Sequence, residues 1–266
     1  MESDLTTTAV LTQLNTTWLG RSYQHFERLG STNDYLKQNS HLPAGTVVVT
    51  DFQETGRGRF NRVWQAPPGS SLLMSLLLRP QWEVEKLVWI GMAAGLAGTE
   101  AIRQTAGITA RLKWPNDLVI EQDNQWCKVS GLLMETHWVP ERPFPDIVVG
   151  MGLNVNIEAT DLPTAVTPAT SLKVAAGRAI SRRDLLCTFL EQFESWFEAI
   201  EGGKSPHEAW EKELITVGQA VKVTAVRDNS SFSGIAEGTT EWGHLRVRDQ
   251  SGNIHTVAAG DVTLRK

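Results

Sequence analysis

Residues 46–78 read TVVVTDFQETGRGRFNRVWQAPPGSSLLMSLLL, and this stretch decides the fold. Two apolar runs, Thr46–Phe52 and Ser71–Leu78, bracket a loop, Gln53–Ser70, crowded with Gly, Pro and Arg. Apolar runs of this length, rich in Val and Leu, predict buried strands. Outward from them, Tyr23–Leu29 is extended. Ser31 and Thr32 stand where a helix N-cap stands, with a helix running through Leu36. Leu11, Leu14 and Trp18 recur at helical spacing and predict a short amphipathic helix in the first twenty residues. Downstream, Val84 to about Ala106 is a long helix packed on the sheet. Strands at Ala110–Lys113, Leu118–Glu121, Cys127–His137 and Asp146–Asn156 follow, with an Asp123-Asn124 turn. Ser181-x-x-Asp184 opens a helix to about Ile200, and a short helix spans Pro206–Leu214.

After Val217 the pattern changes. Val221–Val226, Ser233–Glu237, His244–Arg248, Ile254–Val257 and Val262–Leu264 are short strands separated by turns such as Asp228-Asn229 and Ser251-Gly252. This density without helices predicts a small β-barrel. The fold class is therefore α+β. A mixed β-sheet domain with flanking helices, 1–216, is followed by a small C-terminal β-barrel domain, 217–266.

The 266 residues allow one large core plus a small appendage. A formal net charge of −5 argues against a partner held by phosphate neutralisation, so no nucleic acid is expected. Cys127 and Cys187 lack metal-ligand spacing and are expected as free thiols. There is no apolar run of membrane-spanning length and no signal pattern at the N-terminus. The expectation is a cytoplasmic protein without a membrane partner.

Four motifs carry chemistry. Gly56-Arg57-Gly58-Arg59, with Gln53 before it and Arg62 and Trp64 after it, joins flexible backbone to guanidinium forks and points to an anion. Taken alone, it is as readily a solvated basic loop. Lys113-Trp114-Pro115-Asn116-Asp117 places a lysine, an amide and a carboxylate around a fixed turn, a set suited to phosphate and Mg2+ or simply to a capped turn. In Lys128-Val129-Ser130-Gly131-Leu132-Leu133-Met134-Glu135, strand alternation puts Lys128 on the face of Ser130, Leu132 and Met134. A lysine there is either at the sheet edge or facing an anion. Gly150-Met151-Gly152-Leu153-Asn154-Val155-Asn156 is no dinucleotide fingerprint, but its glycines let a ligand approach the sheet. No P-loop, GxSxG or HExxH occurs. An anion site with lysines and no protein nucleophile suits activation of an acid by a nucleotide.

In order along the chain, Ser31-Thr32-Asn33, Gln53 with GRGR, KWPND, KVSGLLME, GMGLNVN and Ala169-Thr170-Ser171-Leu172 resemble the biotin–protein ligase family, which shares a fold superfamily with lipoate ligases. The resemblance implies a class II synthetase-like catalytic domain and an SH3-like C-terminal barrel. About twenty residues precede the match, so the monofunctional type without an N-terminal DNA-binding domain is expected. Family members carry Gly where Asn61 stands, and Asn is expected to keep the loop's shape by tolerating positive φ. The implied reaction makes biotinyl-AMP from biotin and ATP and passes biotin to a lysine of a biotin carboxyl carrier protein.

By the same resemblance, Ser31, Thr32, Asn33, Gln53, Gly56 and Gly131 bind biotin, and Arg57 bridges its carboxylate and the α-phosphate. Arg59, Arg62 and Asn154 serve the nucleotide, and Trp64 packs on adenine. Lys113 and Asn116 handle phosphates, Asp117 takes Mg2+, and Lys128 stabilises charge at the reacting atoms. Rival readings are a lipoate or octanoate ligase, or a non-enzymatic biotin-binding regulator.

Overall fold

The two apolar runs around the Gly-Arg loop pair as antiparallel strands, Val47 opposite Leu76 and Thr50 opposite Leu73. The computed structural model describes residues 3–140, 142–164, 167–224 and 230–264. The elements are α1 (Thr7–Gln13), β1 (Tyr23–Phe26), α2 (Thr32–Gln38), β2 (Val47–Thr50), β3 (Ser71–Leu78), α3 (Val88–Ala106), β4 (Ala110–Lys113), β5 (Asp117–Gln122), β6 (Gln125–His137) and β7 (Asp146–Asn154). They continue with α4 (Leu172–Ala176), α5 (Arg182–Glu201), α6 (His207–Glu213), β8 (Ala220–Thr224), β9 (Ser231–Thr239), β10 (Leu245–Asp249), β11 (Ile254–Val257) and β12 (Asp261–Leu264).

A seven-stranded sheet runs β1-β2-β3-β7-β6-β5-β4, with β1 parallel to β2 and the other neighbours antiparallel. Strand alternation sorts its side chains. Leu72, Met74 and Leu76 of β3 and Val149, Met151 and Leu153 of β7 join Ile90 of α3 and Phe189 and Phe193 of α5 in the main core. The opposite face has only a small apolar cluster, Leu36 of α2 with Val48, Leu77 and Val148. Beyond it that face is open, and there the cavity described below forms. Asp123 and Asn124 form the expected turn, both with positive φ, between β5 and β6. No helix among the described residues is long and apolar enough to cross a membrane.

Two expectations need correction. The first helix stops at Gln13, so Leu14 is its C-cap and Trp18 lies outside it. The reason is Glu194 of α5, whose carboxylate accepts the N–H groups of Thr17, Trp18 and Leu19 at 2.7–3.0 Å. Those donors cannot then continue a helix.

The C-terminal strands form an antiparallel sheet, β11-β10-β9-β8-β12, whose edge strands do not pair among the described residues. Among the described residues the expected small β-barrel is thus an open sheet. β11 is exposed at three of its four positions and offers no apolar face to seal. β12 faces the Gly-Arg loop instead, through an Asp261–Arg62 ion pair. Val221, Val223, Ala236, Leu245 and Val247 pack into the same core as the large sheet. Trp89 stacks on Trp242 at 5.7 Å, and Trp114 Nε1 donates to Gly243 O at 2.8 Å, which fixes the small sheet to α3 and the β4–β5 turn. The Asp228-Asn229 turn lies outside the described residues.

Candidate active site

α2 begins the site. Ser31 caps it, its Oγ accepting Asp34 N–H at 3.4 Å. The next two residues, Thr32 and Asn33, are thereby turned towards the open face of the sheet. Gln53, just past β2, reaches back so that its Oε1 accepts Thr32 N–H at 2.9 Å. Beneath them Ser75, fully buried in mid-β3, lies 2.6 Å from Thr32 Oγ1 and 2.5 Å from Asn33 Oδ1. Asn33 Nδ2 donates to Glu135 Oε2 at 2.7 Å. This is a small recess walled by hydroxyls and amides.

A β-bulge delivers the lysine. Between β5 and β6 the register jumps, with Val119 opposite Lys128 but Leu118 opposite Ser130. The extra residue inverts the alternation. Val129 and Leu132 enter the main core. Lys128 lands on the other face beside Gly131, where a β-carbon would lie 3.2 Å from Lys128 Nζ. The alternation expected from sequence, with Lys128 on the face of Leu132 and Met134, is therefore wrong. Lys128 Nζ instead meets Asp117 Oδ1 at 2.6 Å and lies 5.6 Å from the Trp64 ring centre.

Lys113 and Asp117 are cross-strand partners at the β4–β5 turn, which carries a cis Trp114–Pro115 peptide. Lys113 is buried, and its Nζ donates to Thr167 at 2.9 Å. Burial, reinforced by Lys128 and opposed by Asp117, holds its ammonium below the ordinary lysine value. Arg59 Nη1 donates to Asn116 Oδ1 at 3.2 Å. Burial lowers its value too, against the carboxylates of Asp261 and Asp117.

The Gly-Arg loop is a narrow hairpin. Trp64 N–H donates to Gly56 O at 2.9 Å, Arg57 bridges to Val63, and Gly58 N–H donates to Arg62 O at 2.7 Å. Its tip has positive φ at Phe60. Arg57 stays at the rim, ion-paired with Asp34 and 4.0 Å from Glu135. The indole of Trp64 lies flat on the sheet. A β-carbon at Gly152 would stand 2.5 Å from its Cε2, and one at Gly131 3.3 Å from its Cζ3. Its Nε1 is buried and has no hydrogen-bond partner among the described residues.

These parts face one cavity of about 680 Å³. Every residue expected from sequence lines it except Gly56, which sits at the hairpin neck. Asn154 is brought in at the end of β7, its Nδ2 donating to Thr170 O at 3.0 Å. Five cationic side chains, Arg57, Arg59, Arg62, Lys113 and Lys128, face the cavity against the carboxylates Asp117 and Asp261, so it attracts anions. The described residues include no cluster of three or more His, Cys, Asp or Glu placed to hold a metal.

Sequence reasoning missed Ser75, Glu135, Thr167 and the residues of the small sheet, Thr224, Asp261 and Thr263. A serine inside SLLMSLLL was a signal, since a buried hydroxyl needs partners. Asp261 and Thr263 gave none.

Residues 25–154 match the model of the biotin/lipoate A/B protein ligase family. The bifunctional ligase/repressor BirA of Bacillus subtilis is 32% identical over 256 residues, spanning 94% of this chain and 76% of that protein. The biotin–[acetyl-CoA-carboxylase] ligase of Mycobacterium tuberculosis is 30% identical over 245 residues, spanning 88% and 85%. Among solved structures, the biotin protein ligase of Aquifex aeolicus in complex with biotin and ATP superposes with a TM-score of 0.75 at 28% identity, covering 92% of this chain and 99% of that one.

Proposed function

The chain belongs to the biotin/lipoate A/B protein ligase family, and from that premise we propose that its cavity joins biotin to ATP and hands the activated acid to a lysine of a carrier protein. One observation carries this: a polar recess and a cation cluster lie in one cavity across a floor of Gly131, Gly150 and Gly152. The recess of Ser31, Thr32 and Gln53 suits a cyclic urea, whereas a lipoate head would need apolar walls. The aliphatic arm of biotin crosses the glycines and delivers its carboxylate to the cations.

In the first step a carboxylate oxygen attacks the α-phosphorus of ATP, the bond to pyrophosphate breaks, and biotinyl-AMP forms. Lys128 and Arg59, with Lys113, neutralise the charge that grows on the phosphate. Arg57 takes part by exchanging Asp34 for the carboxylate or phosphate. Arg62 and Asn154 serve the nucleotide, and Trp64, resting on the glycine floor, packs on adenine. Mg2+ would enter with ATP, and Asp117, which lines the cavity, would hold it there.

In the second step the carrier lysine's amine attacks the anhydride carbonyl. AMP leaves, the nitrogen loses a proton, and an amide remains. The protein supplies position and field, not a nucleophile. The relatives named as acetyl-CoA-carboxylase ligases indicate a carboxylase carrier domain as acceptor. Residues 217–266 act as a second unit that closes the nucleotide side. We place the work in the cytoplasm, where ATP is available.

The test is exchange of label between pyrophosphate and ATP. Exchange that requires biotin supports the assignment. Exchange driven by lipoate or octanoate but not biotin overturns it.

A further inference from the structure

The recess is wired to a carboxylate by a chain of hydrogen bonds whose directions can be deduced. Glu135 Oε2 lies 2.7 Å from one end of the Asn33 amide. Burial would raise the Glu135 carboxyl, but hydrogen bonds from Lys37 and Asn33 outweigh it and hold the group below the ordinary glutamate range. A carboxylate only accepts. The atom facing it must be Asn33 Nδ2, whose other hydrogen points to Leu133 O at 3.4 Å. Asn33 Oδ1 therefore faces Ser75 Oγ at 2.5 Å, and Ser75 must donate to it.

A hydroxyl has one proton, so Ser75 cannot also donate to Thr32 Oγ1 at 2.6 Å and must accept there. The other acceptor near Thr32 Oγ1, Gln53 Oε1, is farther at 3.2 Å and already takes Thr32 N–H. The proton of Thr32 is thus turned into the protein, and only lone pairs face the recess.

We propose that Glu135, Asn33 and Ser75 form a relay that makes Thr32 Oγ1 an obligate acceptor, so that the recess selects a ligand with an N–H at that point. The proposal rests on the biotin reading and deepens it. Ser75 and Glu135 touch no ligand and are positioning residues, and both amide ends of Asn33 are spent on the relay. A β-carbon at Gly150 would collide with the Asn33 amide, so glycine there leaves room for the chain. Gln53 supplies the complementary group: with Oε1 on Thr32, its Nε2 donors lie beside Gly56. One acceptor and one donor match the N–H and C=O of a cyclic urea.

The test uses the full chain, calorimetric binding, and three probes: biotin and its two isosteric cyclic carbamates, in which one or the other ureido N–H is replaced by O. The wild type should prefer biotin by roughly a hundredfold or more over the isomer whose oxygen meets Thr32, because facing lone pairs repel. In Ser75→Ala the Thr32 proton is free to turn outward, and that preference should shrink to within about tenfold. KM for ATP should hold within about twofold. A purely structural role would weaken all three ligands alike and leave the ratio unmoved.

Glu135→Ala, on the partly exposed rim, tests the other end. It frees Asn33 to turn its NH2 towards Ser75, and the ratio should shrink again even if Ser75→Ala fails to fold. A wild type that discriminates while both folded variants keep its ratio overturns the relay alone. A wild type that does not bind biotin overturns the assignment of the cavity, and the relay with it.

Discussion

Replacing Gly152 by alanine adds one methyl group at the centre of the cavity floor. Gly152 pairs with Leu73 on one side and Gly131 on the other, and its φ is not among the positive ones, so the strand accepts a β-carbon. The neighbour that cannot accept it is Trp64, with Cε2 at 2.5 Å and Nε1 at 2.7 Å from the new atom. Such atoms settle at about 3.5–4.0 Å, so the indole must retreat by about 1 Å. Trp64 closes the hairpin that carries Arg59 and Arg62, and both move with it. An error of this size in positioning groups costs about 10²-fold in rate.

Overpacking costs about 1–3 kcal/mol, and Trp64 is only partly buried, so the low end applies. Gly131→Ala is the internal control. Its methyl meets Lys128 Nζ at 3.2 Å and Trp64 at 3.3 Å, which a flexible side chain relieves, and its rate should fall less than about tenfold. The assay is single-turnover formation of the adenylate at saturating biotin and ATP, with thermal unfolding as a fold check. A Gly152→Ala rate within threefold of wild type, or a Gly131→Ala defect larger than that of Gly152→Ala, would refute the reasoning.

Lys128→Ala should lower the adenylation rate by about 10²–10³. It should change stability by under about 1 kcal/mol, because its pair with Asp117 is partly exposed; a large fall in melting temperature with a normal rate would make Lys128 structural. Asp261→Ala removes the exposed partner of Arg62, leaving stability within about 1 kcal/mol, but hydrogen exchange at residues 58–62 should speed up. Equal protection there would mean the pair does not hold the loop. Glu194→Ala strands the N–H groups of Thr17, Trp18 and Leu19 and should cost about 3 kcal/mol in urea unfolding, against under 1 kcal/mol if water replaces the carboxylate. The sign with pH follows from the same contacts: burial would raise the Glu194 carboxyl, yet the three N–H donors hold it below the ordinary range. Its stabilisation is present above the unfolded glutamate value, about 4.3, and is lost as pH falls through the lower folded value. Glu194→Gln should therefore show a shallower loss of stability below pH of about 4, and an unchanged acid limb would contradict this.

The Val- and Leu-rich strands, the long helix and the caps at Ser31 and Ser181 were legible because local pattern and tertiary burial agree there. The residues that line the cavity were legible as motifs, since most lie on short segments next to strands. Three features were not. The bulge at Lys128 depends on the partner strand β5, and one extra residue reverses every side chain before it. The end of α1 depends on Glu194, which lies more than 170 residues away in sequence. The contact of β12 with Arg62 joins segments far apart in the chain, and no local pattern records it. Ser75 sits between these cases. Its polarity inside an apolar run was visible, but its partners Thr32 and Asn33 lie across the sheet face on α2.

On the reading proposed above, one cavity activates biotin with ATP and delivers it to a carrier lysine. Intact-mass measurement of a carboxylase carrier domain, incubated with the protein, biotin and MgATP, tests it most directly. A gain of one biotinyl group that requires ATP and disappears when the acceptor lysine is replaced by arginine is the predicted result. An unmodified carrier, or equal labelling of the arginine form, would contradict it.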